Sequence, residues 1–176
     1  MKRVMIVGQP GAGKTWLARQ MGAITGLPVH HMDMIHFLPG WVERPRGDKI
    51  ALARAVEEQD SWIFEGGLSA TYDTRLRRCD TLVVLDVPLW RRGWRILWRT
   101  LRSYGRNRPE MPEGCPEKFR PEFWQWVWRT RHIGRASHQA LAENAGRGVD
   151  VYLLRSRGEV RHYLDDLKAR QKAGTR

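Results

Sequence analysis

Gly8-Gln9-Pro10-Gly11-Ala12-Gly13-Lys14-Thr15 is the stretch on which the reading of this chain turns. It fits G-x-x-x-x-G-K-[ST], and each position has a chemical reason. Gly8, Gly11, Ala12 and Gly13 let the backbone curl so that its N–H groups point inward at phosphate oxygens. The Lys14 ammonium reaches the β and γ phosphates, and the Thr15 hydroxyl can ligate Mg²⁺. The helix that begins here aims its positive end at the same anion. The context is also the required one. An apolar run over residues 3–7 reads as a buried strand before the loop. Helical spacing over residues 14–24, with Leu17 and Met21 on one side, follows it. The motif predicts a loop that holds ATP and Mg²⁺.

Outward from the loop, strands and helices alternate. Strands are expected at residues 29–32, 62–65, 81–87 and 149–154. Helices are expected at 48–59, from Pro88 to about 104, from Pro121 to about 144, and from a Ser156 cap to about 170. Such alternation implies a parallel sheet covered on both faces. Residues 105–121 are rich in Gly, Pro and charge, and are expected to form a mobile lid from which Arg106 and Arg108 can descend on phosphates.

Composition narrows the function classes. At 176 residues the chain is one domain, and it contains no run of apolar residues long enough to span a membrane. The start is too short in its apolar run for a secretory signal. Cys79 and Cys115 read as two reduced thiols in a cytoplasmic protein. Lys and Arg number 31 against 19 Asp and Glu, a net charge of +12. Such a field attracts polyanions: nucleotides, nucleic acid or acidic lipid. A compositional bias toward Arg would give the same excess.

The order of motifs resembles small P-loop kinases of the adenylate kinase and shikimate kinase type. It looks closest to the bacterial group labelled DNA topology modulation proteins, or adenylate-kinase-like ATPases. The resemblance runs from Arg3 to about Leu164. It rests on the loop, on His31-Met32-Asp33 with Pro39-Gly40-Trp41, and on Trp62-Ile63-Phe64-Glu65-Gly66. Leu85-Asp86-Val87-Pro88, Arg106-Asn107-Arg108-Pro109 and Gly114-Cys115-Pro116 complete the series. It implies a three-layer α/β P-loop NTPase domain over residues 1–176, with five parallel strands in the order 2-3-1-4-5 and a lid insert.

The resemblance also implies roles. Asp33, just after the second strand, would orient the acceptor hydroxyl and take its proton; a helix or turn cap is the alternative. Glu65 stands where adenylate kinases carry an Asp that holds a Mg²⁺-bound water, a role the longer carboxylate could serve through a water. No Arg follows Glu65-Gly66, and AMP is therefore not the expected acceptor. Asp86 is either a second acid of the metal site or a helix cap. His30, His31 and His36 match no zinc spacing and read as pocket lining or surface.

Arg92, Arg95, Arg99, Arg102 and Arg106 recur at helical spacing as one basic stripe, beside an apolar stripe of Trp90, Trp94, Leu97 and Leu101 expected to pack on the core. By resemblance Arg95 would stack near the base and Arg99 would contact phosphate; a solvated basic face is the alternative. Trp124 and Trp128 share a face with Arg131, and core packing is expected of them, with base stacking as the minority reading. The loop at Arg155 and Ser156 would pass the adenine, with Ser156 capping the last helix.

Two function classes result. The first is an ATP- and Mg²⁺-dependent phosphotransferase acting on a small molecule or nucleotide. Its catalytic residues would be Lys14, Asp33, Arg95 and Arg99, with Arg155 at the nucleotide. The second is an NTP-binding regulator whose basic stripe holds nucleic acid without sequence specificity. No membrane partner is expected. A basic cleft around the loop would favour the enzyme, and a broad convex basic face the regulator.

Overall fold

The computed structural model describes residues 1–174. In chain order its elements are β1 (Arg3–Gly8), α1 (Lys14–Thr25), β2 (Val29–His31), α2 (Met32–His36), β3 (Phe37–Leu38) and β4 (Val42–Glu43). There follow α3 (Arg46–Glu57), β5 (Trp62–Glu65), α4 (Tyr72–Arg78), β6 (Thr81–Leu85) and α5 (Leu89–Arg102). The last are α6 (Pro121–Arg129), α7 (Arg131–Glu143), β7 (Asp150–Leu154) and α8 (Arg157–Gly174).

Five strands form one parallel sheet in the order β2-β5-β1-β6-β7. Counted along the chain without the small β3–β4 hairpin, that is the expected 2-3-1-4-5. β1 is central, and Val4, Met5, Ile6 and Val7 are fully buried. Because a strand alternates its side chains, Val4 and Ile6 enter one core and Met5 and Val7 the other. The first core takes Leu17 and Met21 of α1 with Leu164 and Leu167 of α8. The second takes Ala53 of α3, Leu76 of α4 and Leu141 of α7. The result is three layers, helices on both faces of the sheet.

Three expectations are corrected and one unassigned stretch is filled. Residues 66–80, to which the sequence reading assigns no element, contain a 3-10 turn (Ser69–Thr71) and α4. The helix expected from Pro121 to about 144 is two, broken at Thr130 (φ −90°, ψ 2°). There the Gln9 amide donates to the carbonyls of Thr130 and Arg131 at 3.0 and 2.8 Å. A Cβ on Gly134 would stand 2.7 Å from that amide nitrogen, so glycine makes the room.

The apolar stripe of α5 does not pack on the core. Trp90, Trp94 and Leu101 are 69%, 65% and 61% exposed, as is Trp98 at 55%. The helix buries Arg92, Ile96 and Thr100 instead. Trp128 is likewise exposed, with the Arg131 guanidinium over its ring, and only Trp124 is half-buried.

Residues 105–121 are docked against the β3–β4 hairpin. The Trp41 indole donates to the Pro116 carbonyl at 3.0 Å, the Trp41 amide donates to Cys115 Sγ at 3.2 Å, and Gly114 lies against Gly40. The segment folds back on itself through Gly105 N–H to the Glu117 carbonyl, 2.9 Å, and Cys115 N–H to Asn107 Oδ1, 2.7 Å. Among the described residues no helix is long and apolar enough to cross a membrane.

Candidate active site

The carboxyl ends of β1, β2 and β5 meet the start of α1. Gly8, Gly11 and Gly13 hold φ of 153°, 76° and 103°. A Cβ at Gly11 would stand 2.6 Å from the Arg92 carbonyl oxygen, so glycine brings the loop against α5. α1 begins at Lys14 with Gly13 as its cap and no side-chain hydrogen bond there, which leaves first-turn N–H donors for an anion. The Lys14 ammonium makes a long bond, 3.4 Å, to the Gln9 carbonyl.

Glu65 ends β5 beside Ile6 of β1 and His31 of β2. Its Oε1 accepts from Thr15 Oγ1 at 3.0 Å and from His31 Nδ1 at 2.8 Å. Burial alone would raise this carboxyl. The His31 bond, the Lys14 charge and the Thr15 bond together hold it below the ordinary range, so it stays ionised. Asp33, in the first turn of α2, goes the other way. Burial and the Glu65 charge push it up, against Lys14, Arg108 and His36. Two carboxyls beside one lysine are thus driven apart, the arrangement that separates a metal-holding group from a proton-accepting one.

α5 closes the opposite wall. Arg92 donates to the carbonyls of Val87 and Pro10 at 3.1 and 3.2 Å, and Arg95 to that of Ala12 at 2.8 Å. The bonds to Pro10 and Ala12 fix outward carbonyls of the loop, and the loop closes on itself through Ala12 N–H to the Gln9 carbonyl at 3.1 Å. Arg99 lies further along the wall, where the Asp33 charge acts on it. It is paired with Glu117 at 3.1 Å, as is Arg108 at 2.9 Å, and Thr100 Oγ1 donates to the same carboxylate at 3.0 Å. Burial and the neighbouring Arg108 charge lower the Arg99 pKa, and Glu117 opposes this.

The structure therefore gathers Lys14, Thr15, Asp33, Glu65, Arg95 and Arg99 of the expected set. Arg155 stands apart from them. Its side chain is mostly exposed and lies 4.0 Å from Asp86, whose carboxylate also accepts from Arg135 at 2.8 Å. The loop nevertheless passes Arg95, since the Arg157 charge lowers the Arg95 pKa, after burial. Asp86 does not cap α5, because the position before that helix is Pro88. Ser156 caps α8 as expected, its Oγ accepting from Glu159 N–H at 3.1 Å.

Sequence reasoning missed the His31–Glu65 pair, Glu117 and the tie from Gln9 to the α6–α7 junction. No local pattern marks them: His31 and Glu65 are 34 residues apart, Gln9 reaches more than 120 residues along the chain, and Glu117 reaches back 17 and 18 residues to Thr100 and Arg99. Among the described residues no group of three or more His, Cys, Asp or Glu could hold a metal ion. Thr15 and Glu65 together suit Mg²⁺, which takes few protein ligands and relies on phosphate oxygens and water for the rest.

No protein-family model and no curated protein matches the chain. Solved structures do. Shikimate kinase from Acinetobacter baumannii, in complex with shikimate, matches with a TM-score of 0.62 over 99% of this chain and 94% of that one, at 14% identity. Shikimate kinase from Bacteroides thetaiotaomicron matches at 0.55 over 97% and 98%, with 16% identity. A sugar kinase from Janibacter sp. matches at 0.50 over 97% and 91%, also with 16% identity. Likeness at such low identity establishes the architecture alone: this chain has the P-loop α/β fold that shikimate kinases also have.

Proposed function

We propose that this protein is an ATP- and Mg²⁺-dependent phosphotransferase whose acceptor is a hydroxyl-bearing small molecule. The observation that carries the reading is the Thr15 hydroxyl on Glu65 Oε1 at the uncapped start of α1, with Lys14 and Asp33 close enough to act on that carboxylate and each other. The fold shared with shikimate and sugar kinases supports a small acceptor.

In this reading the loop amides and Lys14 bind the triphosphate. Thr15 and Glu65 would hold Mg²⁺, which supplies a Lewis acid for phosphate charge. Asp33 accepts the proton of the acceptor hydroxyl as that oxygen attacks. Arg95 steadies the loop, and Arg99 faces the transferring charge. Residues 105–121 act as the lid, and Arg155 contributes at the nucleotide edge. The missing Arg after Glu65-Gly66 argues against a nucleoside monophosphate acceptor.

The placement of Arg92 and Arg95 against the loop and of Arg99 against Glu117, not across an outer convex face, supports an enzyme over a polynucleotide-binding regulator. The test is ATP consumption against nucleosides, nucleotides, sugars, cyclic hydroxy acids and polynucleotide ends, with Asp33→Asn as control. An acceptor that stimulates wild type and not the variant supports the reading. Stimulation by polynucleotide alone, equal in both proteins, overturns it.

A further inference from the structure

Among the described residues the outer ridge of α5 has no partner in the fold. Trp90, Trp94 and Trp98 recur every four residues and Leu101 continues the line, all facing solvent. The Trp94 and Trp98 rings lie nearly parallel, 12° apart with centroids at 6.4 Å. The ridge widens toward α6, since Trp124 comes within 3.8 Å of where a Cβ on Gly93 would stand and carries the exposed Phe119 beside it. Apolar patches of this extent on a globular domain mark an interaction surface.

The margin of the ridge is basic. The Arg91 guanidinium sits 4.9 Å over the Trp90 ring, and Arg102 and Arg106 are exposed past its far end. No Asp or Glu occurs from Val87 to Pro109. An apolar ridge of Trp and Leu with arginines at its edge has the composition of a helix that lies in the plane of a bilayer surface. Tryptophan favours that depth, with its ring among acyl chains and its N–H at the headgroups.

We propose that the α5 ridge docks this protein on an anionic lipid surface. Charge decides among occupants. A second copy would set two chains of net charge +12 against each other through the same arginine margin. A polynucleotide track needs cations along the ridge itself. Here Arg92, Arg95 and Arg99 turn inward to loop carbonyls and Glu117, leaving the ridge apolar and only its edges charged. The expectation of no membrane partner drew on the absence of a spanning segment, a property that surface docking does not require.

The test is co-sedimentation of the full chain with vesicles of phosphatidylcholine and phosphatidylglycerol in equal parts, and with phosphatidylcholine alone. Wild type should bind the mixed vesicles, bind the zwitterionic ones far less, and lose binding as salt rises. The double variant Trp94→Gln/Trp98→Gln, checked for fold by circular dichroism and for ATP binding, should bind mixed vesicles at least about tenfold more weakly. Arg91→Gln/Arg102→Gln should lose the preference for anionic lipid and keep its fold.

A readout that needs no variant is quenching of tryptophan emission by spin-labelled lipid, which should reach wild-type protein in mixed vesicles. Wild type that stays in the supernatant, or sediments unquenched, overturns the proposal. So does tight self-association that shields these tryptophans, or single-stranded oligonucleotide binding through them without vesicle binding.

Discussion

Replacing Gly11 by Ala tests how the phosphate-binding loop and α5 hold each other. Gly11 and Gly26 have nearly the same backbone, φ 76° and 73°. An Ala at either site bears the left-handed strain of about 1–2 kcal/mol. At Gly26 nothing lies within 4 Å of the added methyl, so strain is the whole effect. At Gly11 the methyl would stand 2.6 Å from the Arg92 carbonyl and 2.9 Å from Ile96 Cγ1. The first neighbour is helix backbone and cannot swing aside, so α5 must retreat. Retreat stretches the Arg92 bond to Pro10 and the Arg95 bond to Ala12, now 3.2 and 2.8 Å. Overpacking of this kind costs about 1–3 kcal/mol, and each charge-assisted bond is worth about 1.5–3 kcal/mol when intact. Gly11→Ala should therefore exceed Gly26→Ala by about 2–4 kcal/mol. Urea unfolding of both variants, compared at a common slope, measures the difference. ATP titration of both should weaken for Gly11→Ala alone. Equal stability losses with equal ATP affinity would refute the claim that α5 braces the loop.

Lys14→Ala should keep its unfolding midpoint and bind ATP about 10–150-fold more weakly, the scale of one charge-assisted phosphate contact, as isothermal titration would read. Asp33→Asn should leave ATP affinity nearly intact and cut transfer by about 10²-fold or more, and it should abolish the acid limb of the rate profile, which in wild type lies above the ordinary carboxylate range. Since the native Asp33 pKa is raised, the native state holds its proton longer than the unfolded chain does. Stability then falls as pH rises through that window, and Asp33→Asn should be the more stable protein at neutral pH in thermal melts. Arg99→Ala should slow transfer about tenfold or more while the exposed Arg102→Ala stays near wild type, in steady-state assays on the acceptor that the screen identifies.

Much of the fold was legible because its signals are local. The run Val4 to Val7 is apolar on both faces of a strand, and only a sheet covered on both sides accepts it. The loop motif carries its own chemistry. α4 gave a weaker signal, because its buried face of Tyr72, Arg75 and Leu76 is short and has an arginine in it. Arg75 is fully buried, with its Nη1 on the Gly66 carbonyl, its Nη2 on Thr71 Oγ1, Glu57 at 3.7 Å and its guanidinium 4.1 Å over the Phe64 ring. A sequence window sees only a cation. Glu65 was legible as a departure from Asp but not as a fit. His31 on the neighbouring strand helps hold its carboxylate against Thr15, and strand adjacency is a long-range fact.

The spacing in α5 separated Arg92, Arg95 and Arg99 from Trp90, Trp94 and Leu101, although Arg102 is exposed and Arg106 lies past the helix, and it could not say which set faces inward. Sterics and hydrogen bonding decide that. The curled loop turns amides toward the anion site, and this directs the carbonyls of Pro10 and Ala12 at α5. Each would cost about 1–3 kcal/mol if buried without a donor, much the same scale as leaving one tryptophan in water. Energy alone leaves the two orientations close. Space does not, because Gly11 admits the helix backbone so closely that no indole could stand between them. Arginine, with donors at the end of a thin stem, reaches past the contact to the carbonyls. The tryptophans are outside as a consequence of the loop's geometry, and a bilayer surface over the ridge would remove the remaining exposure.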